Sequence, residues 1–282
     1  MLCTTVFIQI NMNPSASSIK GLIKIHKPDQ SIRPVVNCRN ALAYRLSKLF
    51  TEKIHCLAPL PNAFNIKNTH DLLLNIKDTL LLPHHSLISL GITNLYSNIL
   101  VPKTKRILTN LLEHELITPQ TQQEILKWYD VIKGLNYFTH DDIIMQYDGL
   151  AMGAPSCGLI AEIFLQHTEH THIPHLAHKH KTINYCRYVD DVFLIFDSTH
   201  TSIHEILKDF NDPHHKLQFT AETKKDNILN YLEITMHRNS TTIKTSIYRK
   251  PTFTDTIIPY TSNHPAQHKH AAVGFLCNRL DS

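Results

Sequence analysis

The sequence predicts an α+β fold, and three observations point to it. Two adjacent carboxylates, Asp190 and Asp191, stand between runs of β-formers in Arg187-Tyr188-Val189-Asp190-Asp191-Val192-Phe193-Leu194-Ile195-Phe196, which reads as strand, tight turn and strand. Two further hairpins are predicted from residues 22–25 with 33–36 and from 136–139 with 143–147. Helical segments are scattered among these hairpins without a regular strand–helix repeat.

The elements follow in chain order. Residues 26–30, His-Lys-Pro-Asp-Gln, form the turn of the first hairpin. A helix is predicted over 69–82, stopped by Pro83, and a buried strand over 86–92 leads into Thr93-Asn94-Leu95-Tyr96-Ser97-Asn98-Ile99. Thr118 as N-cap and Pro119 at the first helical position open another helix through Trp128. Asp148-Gly149-Leu150-Ala151-Met152-Gly153-Ala154-Pro155-Ser156 then precedes an apolar helix over about 157–166. The chain has seven glycines, so Gly149, Gly153 and Gly158 within ten residues imply close backbone approach.

At 282 residues with 42% hydrophobic composition the chain can bury a substantial core, and no apolar run nears the roughly 20 residues that span a bilayer. The opening ten residues lack a charged leader and cleavage site, so an intracellular protein without a membrane partner is expected, the nucleus being a compatible compartment. Six separated cysteines with no CxxC pair fit reduced thiols. Net charge is +4, with a pI near 8.6, but it is unevenly placed. Between residues 20 and 50, Lys20, Lys24, Lys27, Arg33, Arg39, Arg45 and Lys48 face Asp29 alone, a strip suited to polyphosphate, though a solvated basic face has the same composition. His167, His170, His172, His175, His178 and His180 crowd one stretch, where Pro174 and the uneven steps argue for a polar connection rather than a zinc site.

Carboxylates held at a turn are the oxygen ligands that Mg²⁺ prefers, and two such ions about 3.5–4 Å apart can clamp both oxygens of a phosphoryl transfer. Asp is also an ordinary turn residue, so the surrounding motifs carry the argument. Lys24-Ile25-His26-Lys27-Pro28 with Arg33-Pro34-Val35-Val36-Asn37, the segment 92–99, Met152-Gly153-Ala154-Pro155 with Ala161-Glu162-Ile163-Phe164, the Tyr188-Val189-Asp190-Asp191 turn and Tyr248-Arg249-Lys250-Pro251 with Thr261-Ser262-Asn263-His264-Pro265 occur in that order. Together they resemble the reverse transcriptase of Penelope-like retroelements, over roughly residues 21–280.

The resemblance implies a right-hand polymerase fold with an antiparallel-sheet palm: partial fingers over 1–85, palm over 86–240 and the start of a thumb over 241–282. It implies an RNA-directed DNA polymerase that takes dNTPs on an RNA template and DNA primer and depends on Mg²⁺ or Mn²⁺. Asp190 and Asp191 would be the catalytic and metal-binding pair. Arg33, Lys24 and Lys27 would grip the triphosphate, Gly153, Ala154 and Pro155 would shape the floor under the nascent base pair, and Tyr96 would exclude a ribose 2′-hydroxyl. Lys224 or Lys225 would lie near the leaving pyrophosphate, and residues 229–236 would form the hairpin that grips the primer.

One position breaks the pattern. The family carries an aspartate five residues before the aromatic gate, and here that position is Gly91, which offers no ligand. Asp71, Asp78 and Glu162 have no spacing that brings them into the vacancy. The chain also ends at Ser282, where the family continues to a nicking endonuclease, so a partial copy is expected. Impaired nucleotidyl transfer follows, the alternative being an inactive, domesticated or decaying nucleic-acid-binding relic.

Overall fold

A computed structural model describes residues 13–24, 30–146, 148–223, 227–251 and 258–280. In order these form β1 (Ser17–Ile23), β2 (Ile32–Asn37), α1 (Tyr44–Leu57), α2 (Thr69–Ile76), β3 (His85–Thr93), α3 (Leu95–Asn98), α4 (Val101–His114), α5 (Pro119–Gly134), β4 (Tyr137–His140), β5 (Asp142–Met145), α6 (Cys157–Lys179), β6 (Thr182–Tyr188), β7 (Asp191–Asp197), α7 (Ile203–Asn211), β8 (Gln218–Thr223), β9 (Ile228–Tyr231), β10 (Ile234–Asn239), β11 (Thr242–Ile247) and α8 (Ala266–Leu280).

The central sheet has the order β6-β7-β3-β8 and is antiparallel throughout. Both faces of its middle strands are covered, which explains why β7 reads as an unbroken apolar run. Phe193 and Ile195 of β7 pack with Leu87 of β3 and with Leu229, Tyr231 and Met236 of β9 and β10 on one side. Val192, Leu194 and Phe196 point the other way, onto Ile173 and Leu176 of α6 and Ile206 and Phe210 of α7. A third core joins α1, α4, α5 and α6. The order β2-β1-β4-β5 makes a second sheet, in which β1 and β4 run parallel, and β9, β10 and β11 form a three-stranded meander.

Several helices depart from the sequence expectation for identifiable reasons. The predicted helix 69–82 ends at Ile76: Asn68 caps its start by accepting from Asp71 N–H at 2.9 Å, and Leu81 N–H instead donates to the Thr241 carbonyl. The helix from Pro119 runs on to Gly134 under Trp128, Tyr129 and Ile132, all buried, with Thr118 as its cap. Helix α6 continues through Pro174 to Lys179, because Glu169, Ile173 and Leu176 are buried against the core and that packing outweighs the lost hydrogen bond. The histidine-rich stretch is therefore helical, not a connection.

Of the three clustered glycines, two are forced by close approach. Gly149 has φ +69° and Gly153 has φ +116°; a Cβ would overlap the Ser97 carbonyl in the first case and the Val36 carbonyl in the second. Gly158 meets nothing, so the close-approach expectation fails there: it is an ordinary position in the first turn of α6. Gly153→Ala combines a disfavoured φ with a backbone clash and is expected to destabilise by at least about 2 kcal/mol, measured by urea denaturation, whereas Gly158→Ala should be neutral or stabilising.

Candidate active site at the Asp190–Asp191 turn

The β6–β7 hairpin closes with Tyr188 paired to Asp191, leaving Val189 and Asp190 as its two turn residues. Val189 has φ +54°, which for a β-branched residue costs on the order of 1–3 kcal/mol. Three donors from outside the turn hold it in place. Arg187 Nη1 donates to the Val189 carbonyl at 2.9 Å, Ile92 N–H to the Asp190 carbonyl at 2.8 Å, and Tyr231 Oη to the Asp191 carbonyl at 2.8 Å. Burial pushes the Tyr231 phenol well above its ordinary value, so it remains a donor. The backbone is thus fixed from β6, β3 and β9 while both carboxylates stay exposed.

Arg187 is the largest fully buried side chain, 1% exposed. Its guanidinium spans two acids of α6: Nε and Nη2 reach Glu169 at 2.7 and 3.0 Å, and Nη1 and Nη2 reach Glu162 at 2.9 and 3.0 Å. Tyr185 Oη adds 2.8 Å to Glu169, and Asn65 Nδ2 adds 2.7 Å to Glu162. Burial alone would raise the Glu162 carboxyl, but Arg187, Gln166 and Asn65 outweigh it and hold the group below its ordinary value.

A loop connects this turn to the rest of the predicted site. Leu150 N–H donates to the Tyr96 carbonyl at 2.7 Å, and Val36 N–H donates to the Met152 carbonyl at 2.7 Å. The Gly149–Gly153 backbone therefore lies between α3, which carries Tyr96, and β2, which carries Arg33. Its floor is Lys133, whose ammonium donates to the Gly149 carbonyl at 2.7 Å and which burial lowers to about 8. Half-buried Tyr96 is raised by burial, then by Cys157 and Asp190, so its phenol lies in the field of the acid turn. Ala154 and Pro155 line a cavity with Val36, Lys133 and Cys157. Arg33 is exposed, on the second sheet, paired across to Leu22, and Lys24 is half-buried at the end of the same hairpin. Lys27, Lys224 and Lys225 lie outside the described residues.

Gly91 is directly opposite Asp191 in the β3–β7 register. A Cβ built there meets Asp191 Oδ1 and Thr220 Oγ1 at 3.8 Å each, ordinary contact distances, and the backbone is not strained. The position that lacks a carboxylate thus faces the acid turn with room for one. The three acids weighed from the sequence are engaged elsewhere: Glu162 is bound to Arg187, Asp71 accepts from Lys67 N–H at the start of α2, and Asp78 lies beside Lys77.

A family model for reverse transcriptase (RNA-dependent DNA polymerase) matches residues 25–265. The chain belongs to the reverse transcriptase family. Solved structures agree on the fold of this reverse transcriptase domain. Telomerase from Candida albicans, in complex with a fragment of telomeric RNA, superposes with TM-score 0.59 at 13% identity over 84% of this chain and 47% of that one. Telomerase from Candida tropicalis gives 0.58 at 12% over 93% and 49%. The RNA-dependent RNA polymerase of a human picobirnavirus gives 0.50 at 14% over 81% and 45%. The domain spans about half the length of these proteins. No curated protein matches the chain.

Reverse transcriptases and their polymerase neighbours generally use divalent metal ions. In this chain Asp190 and Asp191 are suitable hard-ion ligands, but among the described residues no three His, Cys, Asp or Glu side chains are grouped to hold a metal. The donor set does not fit a two-ion site, and Gly91, opposite Asp191, offers no ligand. Sequence reading missed Arg187, Glu169, Tyr231 and Lys133. The signal was present for the acids: Glu162 and Glu169 are the two acids of helix α6 and stand seven residues apart, a spacing that puts both on one face.

Proposed function

We propose that this reverse transcriptase domain derives from a Penelope-like retroelement and binds an RNA template, a DNA primer and dNTPs, with nucleotidyl transfer impaired by Gly91. The ordered motifs from Lys24 to Pro265 support the subtype. The division into fingers over 1–85, palm over 86–240 and thumb from 241 belongs to the same reading, although β4 and β5 of the middle segment join the sheet of β1 and β2. The observation that carries the impairment is the open Cβ direction of Gly91 toward Asp191. It equally favours the second reading, a nucleic-acid-binding relic without turnover.

Primer extension on an RNA template with Mg²⁺ or Mn²⁺, run beside a binding titration of the same primer–template, tests the proposal. The expected result is clear binding with slow extension, abolished by Asp190→Ala without loss of binding. Extension as fast as the Gly91→Asp variant would overturn the impairment. No binding by the folded protein would overturn the substrate assignment.

A further inference from the structure

A second group of cationic and titratable side chains converges on Phe164 of α6. Lys103 of α4 places Nζ 5.6 Å from the Phe164 ring centroid, and the His214 ring meets the same phenyl edge-on at 5.2 Å. His215 stacks on His214 at 5.6 Å with an interplanar angle of 9°. His172 of α6 lines the same cavity as His214, with His167 and His170 on the preceding turns. Buried His214 is 7% exposed, and its Nδ1 has no hydrogen-bond partner among the described residues.

These groups repel one another when charged. Burial first, then Lys103, lowers His167 and His172; His214 is lowered by burial, Lys103, His215, Lys216 and His172. Glu169 lines the same cavity but is held by Arg187 and Tyr185, and half-buried Lys216 is paired with Asp148. Three elements therefore bring together cations whose natural complement is an anion.

We propose that Lys103, His172 and His214, with His167, His215 and Lys216 around them, form a binding site for the phosphate backbone of nucleic acid that strengthens as pH falls. A polymer of phosphates satisfies several of these separated cations at once, and stacked imidazoles beside a lysine suit a strand with bases between its charges. Anion binding favours imidazolium, so binding takes up protons and affinity rises as pH falls, on the acid side of the ordinary histidine range because these groups are lowered. None of these six side chains belongs to the acid turn, but the cavity beside them is also lined by Ile92 and Arg187, which hold that turn.

Anisotropy of a labelled single-stranded RNA with the full chain tests it. Affinity is expected to rise about tenfold from about pH 7.5 to about pH 5.5. His172→Gln/His214→Gln should lose most of that gain, and Lys103→Met, which keeps the stem on Phe164, should weaken binding at both values. A control His55→Gln/His70→Gln, changing exposed histidines elsewhere, should keep the gain. If the double variant fails a thermal-melt check, Lys103→Met alone decides the outcome. The proposal is overturned if the control loses as much as the test variant, if Lys103→Met binds RNA normally, or if anionic lipid vesicles bind while RNA does not. Primer extension near pH 8, where histidines are neutral, separates this outcome from failure at the acid turn.

Discussion

Gly91→Asp is expected to raise RNA-templated primer extension about a hundredfold or more, the scale lost when one preorganised electrostatic group is removed from an active site. The geometry favours the variant. Position 91 is opposite Asp191, its Cβ direction is open at 3.8 Å to both neighbours, and its backbone angles suit any residue. The new carboxylate completes a three-acid set on a turn already fixed by Ile92, Arg187 and Tyr231. Three clustered carboxylates repel one another without a cation, so the variant should melt slightly lower in chelator and gain thermal stability with Mn²⁺ or Mg²⁺. The unmodified chain should show a smaller metal-dependent shift. Equal metal response in both proteins, together with unchanged extension, would sink the assignment of Gly91 as the missing ligand position. Loss of the gain in Gly91→Asp/Asp190→Ala would tie it to the turn.

The part of this site that was legible in the sequence is the part governed by local rules. A Tyr-Val-Asp-Asp segment between β-formers fixes a hairpin with exposed acids, and Gly91 is visible as a glycine within a strand. What escaped depends on contacts distant in sequence. Arg187 reads as a flanking basic residue, yet Glu162 and Glu169, 25 and 18 positions earlier, bury it. Among the helices overlooked, two show themselves by spacing in particular: Leu46, Phe50 and Ile54 in α1, and Thr104, Leu108 and Leu112 in α4, all four apart and all buried. In α1 the basic residues drew attention to charge, while the buried stripe ran between them. Lys48 over the Tyr44 ring at 5.1 Å is one result, a cation of the strip covering a helix face.

Replacing Arg187 by Met should be the most damaging single change, costing about 3–5 kcal/mol in urea denaturation, because buried Glu169 and half-buried Glu162 lose their common counter-charge. The pH dependence has a definite sign. In the unmodified chain the Glu162 carboxyl is held below its ordinary 4.5, so its contribution is present above about pH 4.5 and is lost as pH falls. Without Arg187, burial raises the same group, so folding of the variant is favoured below its unfolded value and weakened as pH rises. The stability gap between the two proteins should therefore widen from about pH 5 to about pH 8. Arg187→Met/Glu162→Gln/Glu169→Gln removes the stranded charges and should recover much of the loss, since neutral groups of similar shape replace a buried ionic set at little net cost. That recovery isolates the second role of Arg187. The Val189 carbonyl still lacks its donor at 2.9 Å, and the left-handed turn loses one of three restraints. In a Gly91→Asp background the triple variant should accordingly fold but extend primers more slowly than Gly91→Asp alone, with primer–template binding unchanged. Equal extension rates would reduce Arg187 to a structural ion pair with no hold on the acid turn.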